Sequence, residues 1–485
     1  MSGRLYFVGA GPGDPGLITR RGLELLRACD AVVLDRLIPS ALLQELKPGA
    51  PRIHTSPRPG APPPDAGAVR AAVTEHVHAG QDVVWLCAGD PLFFSDAAAD
   101  ALTLARAGVP VEIVPGVPAA LAAPAYAGIP LTVREGGTVT ISSGRTGAAG
   151  AAVLLADEAT LRGGVASLLE AGRDPGEPCA VVEWGTTTAQ RVVETTLGEA
   201  VERVGAAGLR GPLVVVAGEV AGLRGTLAWF ERKPLFGLRV VVTRGRGQAG
   251  SLTSSLEGHG AAVVEMPVIS IADPKSWSDL DQALRLLAEG FFRWVVFTSA
   301  NAVDKVFGRL DHASLDARAL GRVKVAAVGS STGDALARRG VRADLVPPEF
   351  TGAAVAEALG RGSGRVLIPR VEGAPSDLVD ALSGAGWNVR AVTAYRNLPA
   401  GKDSLGAAVV ASGRFDVVTF TSASTVRSYL SIAGPPPDDV HVACIGPSTA
   451  EAARAAGLRV DVVGQEHTVP GLVRALVDRF GRSGT

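Results

Sequence analysis

The sequence predicts an α/β protein with parallel sheets. Short β-branched runs such as DAVVLD, DVVWLC and VEIVPG alternate with helical stretches rich in Ala, Leu and Arg. Sixty glycines and 32 prolines separate these segments. Because 485 residues exceed what one hydrophobic core usually organises, we expect two or more domains.

Composition excludes several classes of function. The net charge of -1 provides no basic field for nucleic acid. No apolar run approaches the roughly 18 residues of a membrane helix, and the N-terminus lacks the features of a signal peptide. We therefore expect a cytoplasmic protein that binds neither nucleic acid nor membrane. The four cysteines are widely spaced and the seven histidines do not cluster, so we expect no metal site.

A glycine-rich turn follows the first predicted strand, in VGAGPGDPG (8–16). The spacing is not that of a dinucleotide-binding fingerprint, because Asp14 occupies the position of the third glycine. Further along the chain, a proline stop at Pro234 leads into a new strand. This pattern predicts one domain over 1–234 and a second over 235–485.

The second domain contains an internal repeat. RVVVTRG, at 239–245, matches RVLIPRV, at 365–371, and WVVFTSANAV, at 294–303, matches VVTFTSASTV, at 417–426. A later pair, VAAVGSSTGDALARRG and VACIGPSTAEAARAAG, also matches in register. Each copy contains a strand ending in Thr-Ser and a strand followed by Gly-x-Ser-Thr, each before a helix.

Such turns place hydroxyls and backbone N–H groups at helix N-termini, where α/β folds bind anions. The predicted substrate-binding residues of this kind are Thr298, Ser299, Ser331, Thr421, Ser422, Ser448 and Thr449. An alternative is that the serines are ordinary helix N-caps. Arg244 and Arg370 end the first strand of each copy, where they would pair with substrate carboxylates or form structural salt bridges.

Residues 238–480 resemble uroporphyrinogen-III synthase. The resemblance depends on the order of VVVTR, WVVFTSANAV, KVAAVG, TAYR, DVVTFTSASTV, CIGPSTAEAARAAG and HTVPGLVRAL. It implies two lobes, one formed by 238–273 with 395–485 and the other by 274–394. It also implies that hydroxymethylbilane is closed to uroporphyrinogen III with inversion of ring D, without a cofactor.

The resemblance makes Tyr395 the candidate proton donor for loss of the substrate hydroxyl. A phenol stays protonated at neutral pH and can act as a general acid. The alternative is a strand-end tyrosine with one face packed and its hydroxyl in water. We expect conformational control by the cleft to provide much of the catalysis.

Residues 4–230 resemble the S-adenosylmethionine-dependent tetrapyrrole methylases, and most closely uroporphyrinogen-III C-methyltransferase. The motifs are the glycine turn, DRL, GDP, VPG, AYAGIPLT, EWGTTTAQRVV and GEV. The resemblance implies two α/β subdomains that divide near residue 135, S-adenosylmethionine in the cleft between them, and a homodimer formed through this half.

Carried over by position, the resemblance also implies the residues of the site. Asp35 corresponds to the proposed general base. The cofactor contacts would be Pro12, Ala88, Gly89, Asp90, Phe93, Pro118, Ala119, Ala156 and Gly185. Small residues allow the backbone to approach a ligand, and Asp90 would accept a hydrogen bond or serve as a turn residue.

This half departs from the family pattern at cationic positions. Ser56-Pro57-Arg58 replaces GKR, and WLCAGDP lacks the arginine and lysine of RLKGGDP. Asp96 stands where FGRGG has its arginine, and Leu131-Thr132-Val133-Arg134 lacks the histidine of LTHR. Uroporphyrinogen III carries eight carboxylates. Each direct charged hydrogen bond that the site has lost would weaken the binding free energy of this substrate by about 1.5–3 kcal/mol. We therefore predict poor binding of uroporphyrinogen III here.

Three hypotheses for the whole chain remain. The chain is a synthase fused to a methyltransferase that together feed sirohaem and corrinoid synthesis, or a synthase with a non-catalytic module for binding or dimerisation. A more distant alternative is a two-lobed solute-binding protein.

Overall fold

The computed structural model describes most of the chain, which divides into two compact units. The described residues are 3–35, 37–47, 49–56, 64–133, 137–143, 150–244, 246–348, 351–399 and 405–481. The first unit comprises 1–239, 255–262 and 476–485, and the second comprises 240–254 and 263–475. Helices alternate with the strands of four five-stranded sheets in the described ranges, which confirms the predicted α/β class.

The first sheet lies in the N-terminal part of the chain and is parallel. Its strands are β1 (Leu5–Gly9), β2 (Ala31–Leu34), β3 (Arg52–His54), β4 (Val83–Cys87) and β5 (Val111–Val114). Its helices are α1 (Arg20–Ala28), α2 (Ala66–His78) and α3 (Ala97–Arg106), with 3-10 turns at Pro15–Leu17 and Leu42–Gln44. The order is β3-β2-β4-β1-β5, so β4, β1 and β5 end side by side. All of β4 is buried, as expected for a central strand covered on both faces.

The second sheet is mixed. Helix α4 (Ala119–Tyr126) precedes β6 (Val139–Ser142), β7 (Ala151–Ala156), β8 (Pro178–Glu183), β9 (Arg191–Thr196) and β10 (Leu213–Ala217). The other helices are α5 (Leu161–Glu170), α6 (Ala200–Ala207) and α7 (Arg224–Leu227), with a 3-10 turn at Glu219–Leu223. The order is β6-β7-β10-β8-β9, in which only β6 and β7 pair parallel. The short connection from β8 to β9 permits only antiparallel pairing.

The third sheet joins the beginning and the end of the C-terminal half. Its strands are β11 (Arg239–Val242), β12 (Ala262–Glu265), β18 (Val417–Phe420), β19 (His441–Cys444) and β20 (Val462–Val463). Its helices are α8 (Arg246–Gly258), α14 (Leu405–Ala411), α15 (Ala423–Ala433), α16 (Pro447–Ala455) and α17 (Val469–Phe480). The order is β12-β11-β18-β19-β20, and β11 pairs parallel with β18, Val242 opposite Thr419.

The fourth sheet uses the residues between β12 and α14. Its strands are β13 (Ile269–Ala272), β14 (Trp294–Phe297), β15 (Lys324–Ala327), β16 (Arg365–Val371) and β17 (Asn388–Pro399). Its helices are α9 (Ser278–Ala288), α10 (Ala300–His312), α11 (Ser330–Arg338), α12 (Gly352–Leu359) and α13 (Asp377–Gly384), with a 3-10 turn at Ala317–Leu320. The order is β13-β17-β16-β14-β15, parallel except for β13.

The two segments that connect the third and fourth sheets pair with each other. Ile269 lies opposite Pro399, and Ala272 lies opposite Arg396, in an antiparallel ladder. The predicted lobe boundaries at 273 and 395 therefore fall at or inside strands of the fourth sheet, whose residues extend from Ile269 to Pro399. Sequence patterns do not give this pairing because it joins residues distant along the chain.

None of the helices in the described ranges is long and apolar enough to cross a bilayer.

Candidate active sites

A cavity of about 380 Å³ opens where β4, β1 and β5 end. The turns after these strands require glycine. Gly89 has a φ of +67°, and a Cβ on Gly116 would collide with the carbonyl oxygen of Gly89. The second sheet provides other lining residues, including Leu155 and Val214. The cavity therefore lies between the two sheets of the first unit, at an edge where parallel strands commonly bind ligands.

Eight of the nine predicted cofactor contacts line this cavity. They are Pro12, Ala88, Gly89, Asp90, Phe93, Pro118, Ala119 and Gly185. Ala156 does not line it, and its neighbour Leu155 does. Successive residues of a strand face opposite sides, and Ala156 packs instead against the core beside α5 and α6. The lining of the cavity therefore favours Leu155 over Ala156 as the contact from this strand.

Asp90 has a structural role at the rim. One of its carboxylate oxygens accepts from the backbone N–H of Leu92 at 2.8 Å, and the other accepts from Gly116 at 2.9 Å. The carboxylate therefore ties the turn after β4 to the turn after β5. It also lines the cavity, and its remaining lone pairs could accept from a ligand.

A strained turn, Trp184–Thr187, forms one wall of the cavity. Trp184 has a φ of +48° and Thr186 a φ of +70°, which side-chain-bearing residues rarely adopt. Gln190, 3% exposed, accepts from the Thr186 N–H at 2.8 Å and donates to Glu231 at 2.8 Å. Buried hydrogen bonds thus hold the turn in an unfavourable backbone conformation.

A second contact links this turn to the glycine turn after β1. The Thr186 hydroxyl accepts from the backbone N–H of Asp14 at 3.2 Å, and the Tyr126 hydroxyl donates to the Asp14 carboxylate at 2.7 Å. Burial raises the pKa of Tyr126, and the hydrogen bond and charge of Asp14 raise it further. Tyr126 therefore stays a hydrogen-bond donor across the physiological range.

The sequence did not identify two aromatic residues at this site. Phe94 and Trp184 line the cavity, and both are partly exposed. Phe94 also has a positive φ, +51°. An aromatic residue next to a glycine-rich turn is a weak sequence signal for such a wall. The left-handed backbone conformation of these residues leaves no pattern in the sequence.

A larger cavity, of about 670 Å³, adjoins the first and shares Leu37, Ala88 and Phe94 with it. The candidate base Asp35 lines it together with Asp96 and Asp100. No lysine, arginine or histidine is among its described lining residues. Pro57, which replaces the lysine of the family pattern, lies outside the described residues, as do Arg58, Arg134 and the predicted subdomain division at 135. Val133, which stands in place of the histidine of LTHR, is described and exposed.

In the C-terminal half, Tyr395 is 6% exposed and packs in the core of the fourth sheet. Its hydroxyl lies 3.0 Å from the hydroxyl of Ser299. Ser299 caps α10 by accepting from the N–H of Ala302 at 3.2 Å. The tyrosine hydroxyl therefore lies at the first turn of α10, at the carboxyl edge of the sheet.

Two of the four predicted serine N-caps are present. Ser299 caps α10, and Ser422 caps α15 in a reciprocal capping box with Thr425. The prediction is wrong for Ser331 and Ser448, which are exposed residues within the first turns of α11 and α16. Those helices begin earlier, with glycine as the N-cap; Pro447 fits the first position of α16, which needs no N–H. Thr449, on α16, is 3% exposed.

Thr298 and Arg370 line one cavity of about 370 Å³ with the first residues of α12 and α13. The Arg370 guanidinium donates to the carbonyl oxygens of Ala374 at 3.4 Å and Pro375 at 3.1 Å. Within the described residues, Arg370 forms no salt bridge, so that alternative does not apply to it. Its guanidinium is bound by backbone carbonyl oxygens instead.

Arg244 and Thr421 differ from that pair. No hydrogen bond or ion pair of Arg244 occurs with the described part of the chain, and burial lowers the pKa of its guanidinium. Thr421 is 8% exposed, and its hydroxyl has no hydrogen-bond partner there either.

The structure offers no metal site in the ranges it describes, where no three His, Cys, Asp or Glu side chains converge. The four cysteines are buried free thiols.

Comparisons with known proteins match the two halves of the chain to two different families. Residues 4–201 match a sequence model of the tetrapyrrole (corrin/porphyrin) methylases, and 250–474 match one of uroporphyrinogen-III synthase HemD. A porphyrin biosynthesis protein HemD from Ruminiclostridium josui is 32% identical over 99% of this chain and 98% of its own length.

Other relatives match less of the chain. A uroporphyrinogen-III C-methyltransferase from Bacillus subtilis is 30% identical over 72% of this chain and 74% of its own. One from Sinorhizobium is 39% identical over 47% of this chain and 87% of its own. A solved uroporphyrin-III C-methyltransferase from Thermus thermophilus, complexed with S-adenyl homocysteine, is 32% identical over 46% of this chain and all of its own, with a TM-score of 0.39.

Proposed function

We propose a function from one premise: the chain belongs to the HemD family of porphyrin biosynthesis proteins, with a tetrapyrrole methylase domain before a uroporphyrinogen-III synthase domain. In our proposal, the synthase domain converts hydroxymethylbilane to uroporphyrinogen III with inversion of ring D. The methylase domain binds S-adenosylmethionine. We place the domain junction near Pro234 and expect a homodimer.

The observation that carries the synthase proposal is the contact between Tyr395 and Ser299. Tyr395 is buried, whereas Ser299 is only partly buried and its hydroxyl lies 3.0 Å away. A proton can pass along such a pair to the hydroxyl that leaves hydroxymethylbilane. Water departs, an azafulvene forms, and the substituted carbon of ring D attacks it to give a spiro intermediate. One bond of this intermediate breaks and the ring closes again with ring D inverted, and the proton lost when the last pyrrole becomes aromatic restores the hydroxyl pair.

The cavity of about 380 Å³ supports binding of S-adenosylmethionine, because it has the size of a small-molecule site and glycines allow close backbone approach. Pro12, Gly89, Ala119 and Gly185 would hold the donor, which supplies an electrophilic methyl group when bound. Asp35, in the adjoining cavity, would accept the proton released by the methylated pyrrole carbon.

The adjoining cavity favours weak methylation of uroporphyrinogen III. Asp35 and Asp96 line it, and like charges repel the carboxylates of that substrate. A third carboxylate of the lining, Asp100, is paired with Arg70 at 2.7 Å and adds little to this repulsion. We therefore propose that synthase activity dominates and that methyl transfer to this acceptor is slow.

A second candidate, a fully bifunctional enzyme that feeds sirohaem and corrinoid synthesis, is favoured by the 39% identity to the Sinorhizobium methyltransferase. A non-catalytic module for binding or dimerisation is the third.

One experiment separates these candidates. Purified protein receives freshly generated hydroxymethylbilane with and without S-adenosylmethionine, and the oxidised products are separated by chromatography. We expect type III uroporphyrin in both reactions, with little methylated product. Abundant methylated product that depends on the donor would establish the bifunctional enzyme, and type I uroporphyrin alone would refute the synthase proposal.

A further inference from the structure

The internal repeat places an arginine and a threonine side by side in both sheets of the C-terminal half. The printed strand pairing ends with Val242 opposite Thr419, and continuing this register by two residues beyond the strands would bring Arg244 beside Thr421. In the fourth sheet, Val295 pairs with Leu367. Three residues further along each strand, Thr298 and Arg370 come to the same place and line one cavity. Residues in register on neighbouring parallel strands face the same side of a sheet. Both pairs stand where strands end and a capped helix begins.

The copy in the fourth sheet shows that such a pair can form a cavity. Thr298 and Arg370 line the same space of about 370 Å³. The Arg370 guanidinium is already satisfied in part, because it donates to the carbonyls of Ala374 and Pro375. A ligand that bound there would compete with these contacts or use the remaining N–H groups.

The copy in the third sheet has the same residues without those contacts. Within the described ranges, the Arg244 guanidinium and the Thr421 hydroxyl have no partner, although burial desolvates the first and the second is 8% exposed. Ser422, the N-cap of the 11-residue helix α15, directly follows Thr421, so the N-terminus of that helix adds a partial positive charge nearby. A partly buried cation without a partner and a buried hydroxyl without a partner both destabilise a folded protein. A ligand that pairs with both would remove this penalty.

We propose that Arg244 and Thr421 form the subsite for one carboxylate arm of the linear tetrapyrrole. This inference rests on the proposed synthase function. The guanidinium donates to the carboxylate, the hydroxyl donates to the same group, and the helix N-terminus stabilises its charge. The Thr298–Arg370 pair should bind a carboxylate more weakly, because Arg370 already donates to two backbone oxygens.

Replacement of Arg244 by methionine tests the proposal with two readouts of opposite sign. We expect Arg244→Met to raise the KM for hydroxymethylbilane about tenfold or more, because a charged hydrogen bond is lost. We also expect it to raise the thermal midpoint of the unliganded protein slightly, because a partly buried charge without a partner is removed. A purely structural arginine would lower that midpoint.

Arg370→Met is the matched comparison. It should lower the thermal midpoint, because two hydrogen bonds are lost, and should raise KM less than Arg244→Met does. Thr421→Val should raise KM a few fold, and the double variant Arg244→Met/Thr421→Val should raise it by less than the product of the single effects.

The outcomes are distinguishable from failure of the proposed function. If the wild type makes only type I product, the synthase proposal fails, and this inference fails with it. If the wild type makes type III product but Arg244→Met leaves KM unchanged, or lowers the thermal midpoint, the subsite alone is refuted.

Discussion

At the scale of single residues, two buried tyrosines of the C-terminal half differ in what their hydroxyls contact. Tyr395 and Tyr429 are both buried. The hydroxyl of Tyr395 reaches Ser299, whereas the Tyr429 hydroxyl lacks a partner within the described chain and burial raises its pKa to about 12. Of the two, only Tyr395 is connected to the edge of a sheet where substrate would bind.

Tyr395→Phe should therefore slow formation of type III product. We expect kcat to fall about tenfold. Loss of a general acid usually costs more, but here water or a neighbouring hydroxyl can partly replace the phenol. The measurement is steady-state turnover of hydroxymethylbilane with the isomer ratio determined at each time point.

Tyr429→Phe is the matched control for this substitution. It should leave turnover unchanged and raise the free energy of unfolding by roughly 1 kcal/mol, because a buried hydroxyl without a partner is removed. Unchanged turnover and isomer ratio in Tyr395→Phe would remove Tyr395 from the mechanism.

At the scale of elements, the turn between β8 and β9 shows how buried hydrogen bonds support a binding wall. Thr186 and Trp184 adopt left-handed conformations, and Gln190 holds the turn by bonding to Thr186 on one side and to Glu231 on the other. Arg224 also donates to Glu231, at 3.0 Å. The wall of the cavity therefore depends on side chains that do not line it.

Gln190→Ala should weaken binding of S-adenosylhomocysteine about tenfold, because the buried Thr186 N–H loses its acceptor and the turn relaxes. Isothermal titration calorimetry measures this change. Gln190→Glu should also weaken binding because it places two carboxylates together, and Gln190→Glu/Glu231→Gln should restore binding by exchanging donor and acceptor.

Gln282→Ala serves as the control, since Gln282 is an exposed hydrogen-bond partner of Arg390 in the other half of the chain. Equal affinity of the wild type and Gln190→Ala would show that the turn does not need this support.

The sequence predicted the elements of this site better than their details. Glycines and small residues after strands located the cavity, because close backbone approach excludes larger side chains. The sequence pointed to Ala156 rather than Leu155 because a strand run does not show which alternate residues face the ligand. Ser331 and Ser448 were wrong as caps because glycines two residues upstream, Gly329 and Gly446, cap these helices. The strained turn and the antiparallel pairs of the second sheet depend on tertiary contacts that local patterns do not encode.

For the whole molecule, we expect stability to decrease at alkaline pH, because four buried thiols lie in the two halves of the chain. Burial raises the pKa of Cys29 and Cys444 to about 11 and that of Cys179 to about 12, from an ordinary value of 9.0, and it raises that of Cys87 as well. A raised pKa in the folded state means that folding favours the protonated thiol. Its stabilisation is complete below pH 9 and is lost as pH rises towards 11.

We expect the free energy of unfolding to fall by roughly 1 kcal/mol for each thiol between pH 9 and 10, because only the unfolded thiols ionise there. Urea unfolding at pH 8, 9 and 10 measures the change, and Cys29→Ala should reduce it by one thiol's share. At pH 8 a thiol reagent should react with the folded protein far more slowly than with the unfolded chain. A midpoint that stays constant through pH 10 would contradict this prediction.

The paired connecting strands affect the order in which the C-terminal half can assemble. The hydrogen bond from Thr243 to Thr419 joins residues 176 positions apart, whereas every strand of the fourth sheet lies between Ile269 and Pro399. During synthesis, β11 must wait for β18, but the fourth sheet is already complete when Pro399 has emerged. Pairing of β13 with β17 then brings the ends of that segment together, which shortens the chain loop that separates β11 from β18 and lowers its closure entropy. We therefore expect the fourth sheet to form before the third and to bring β11 and β18 close enough to pair.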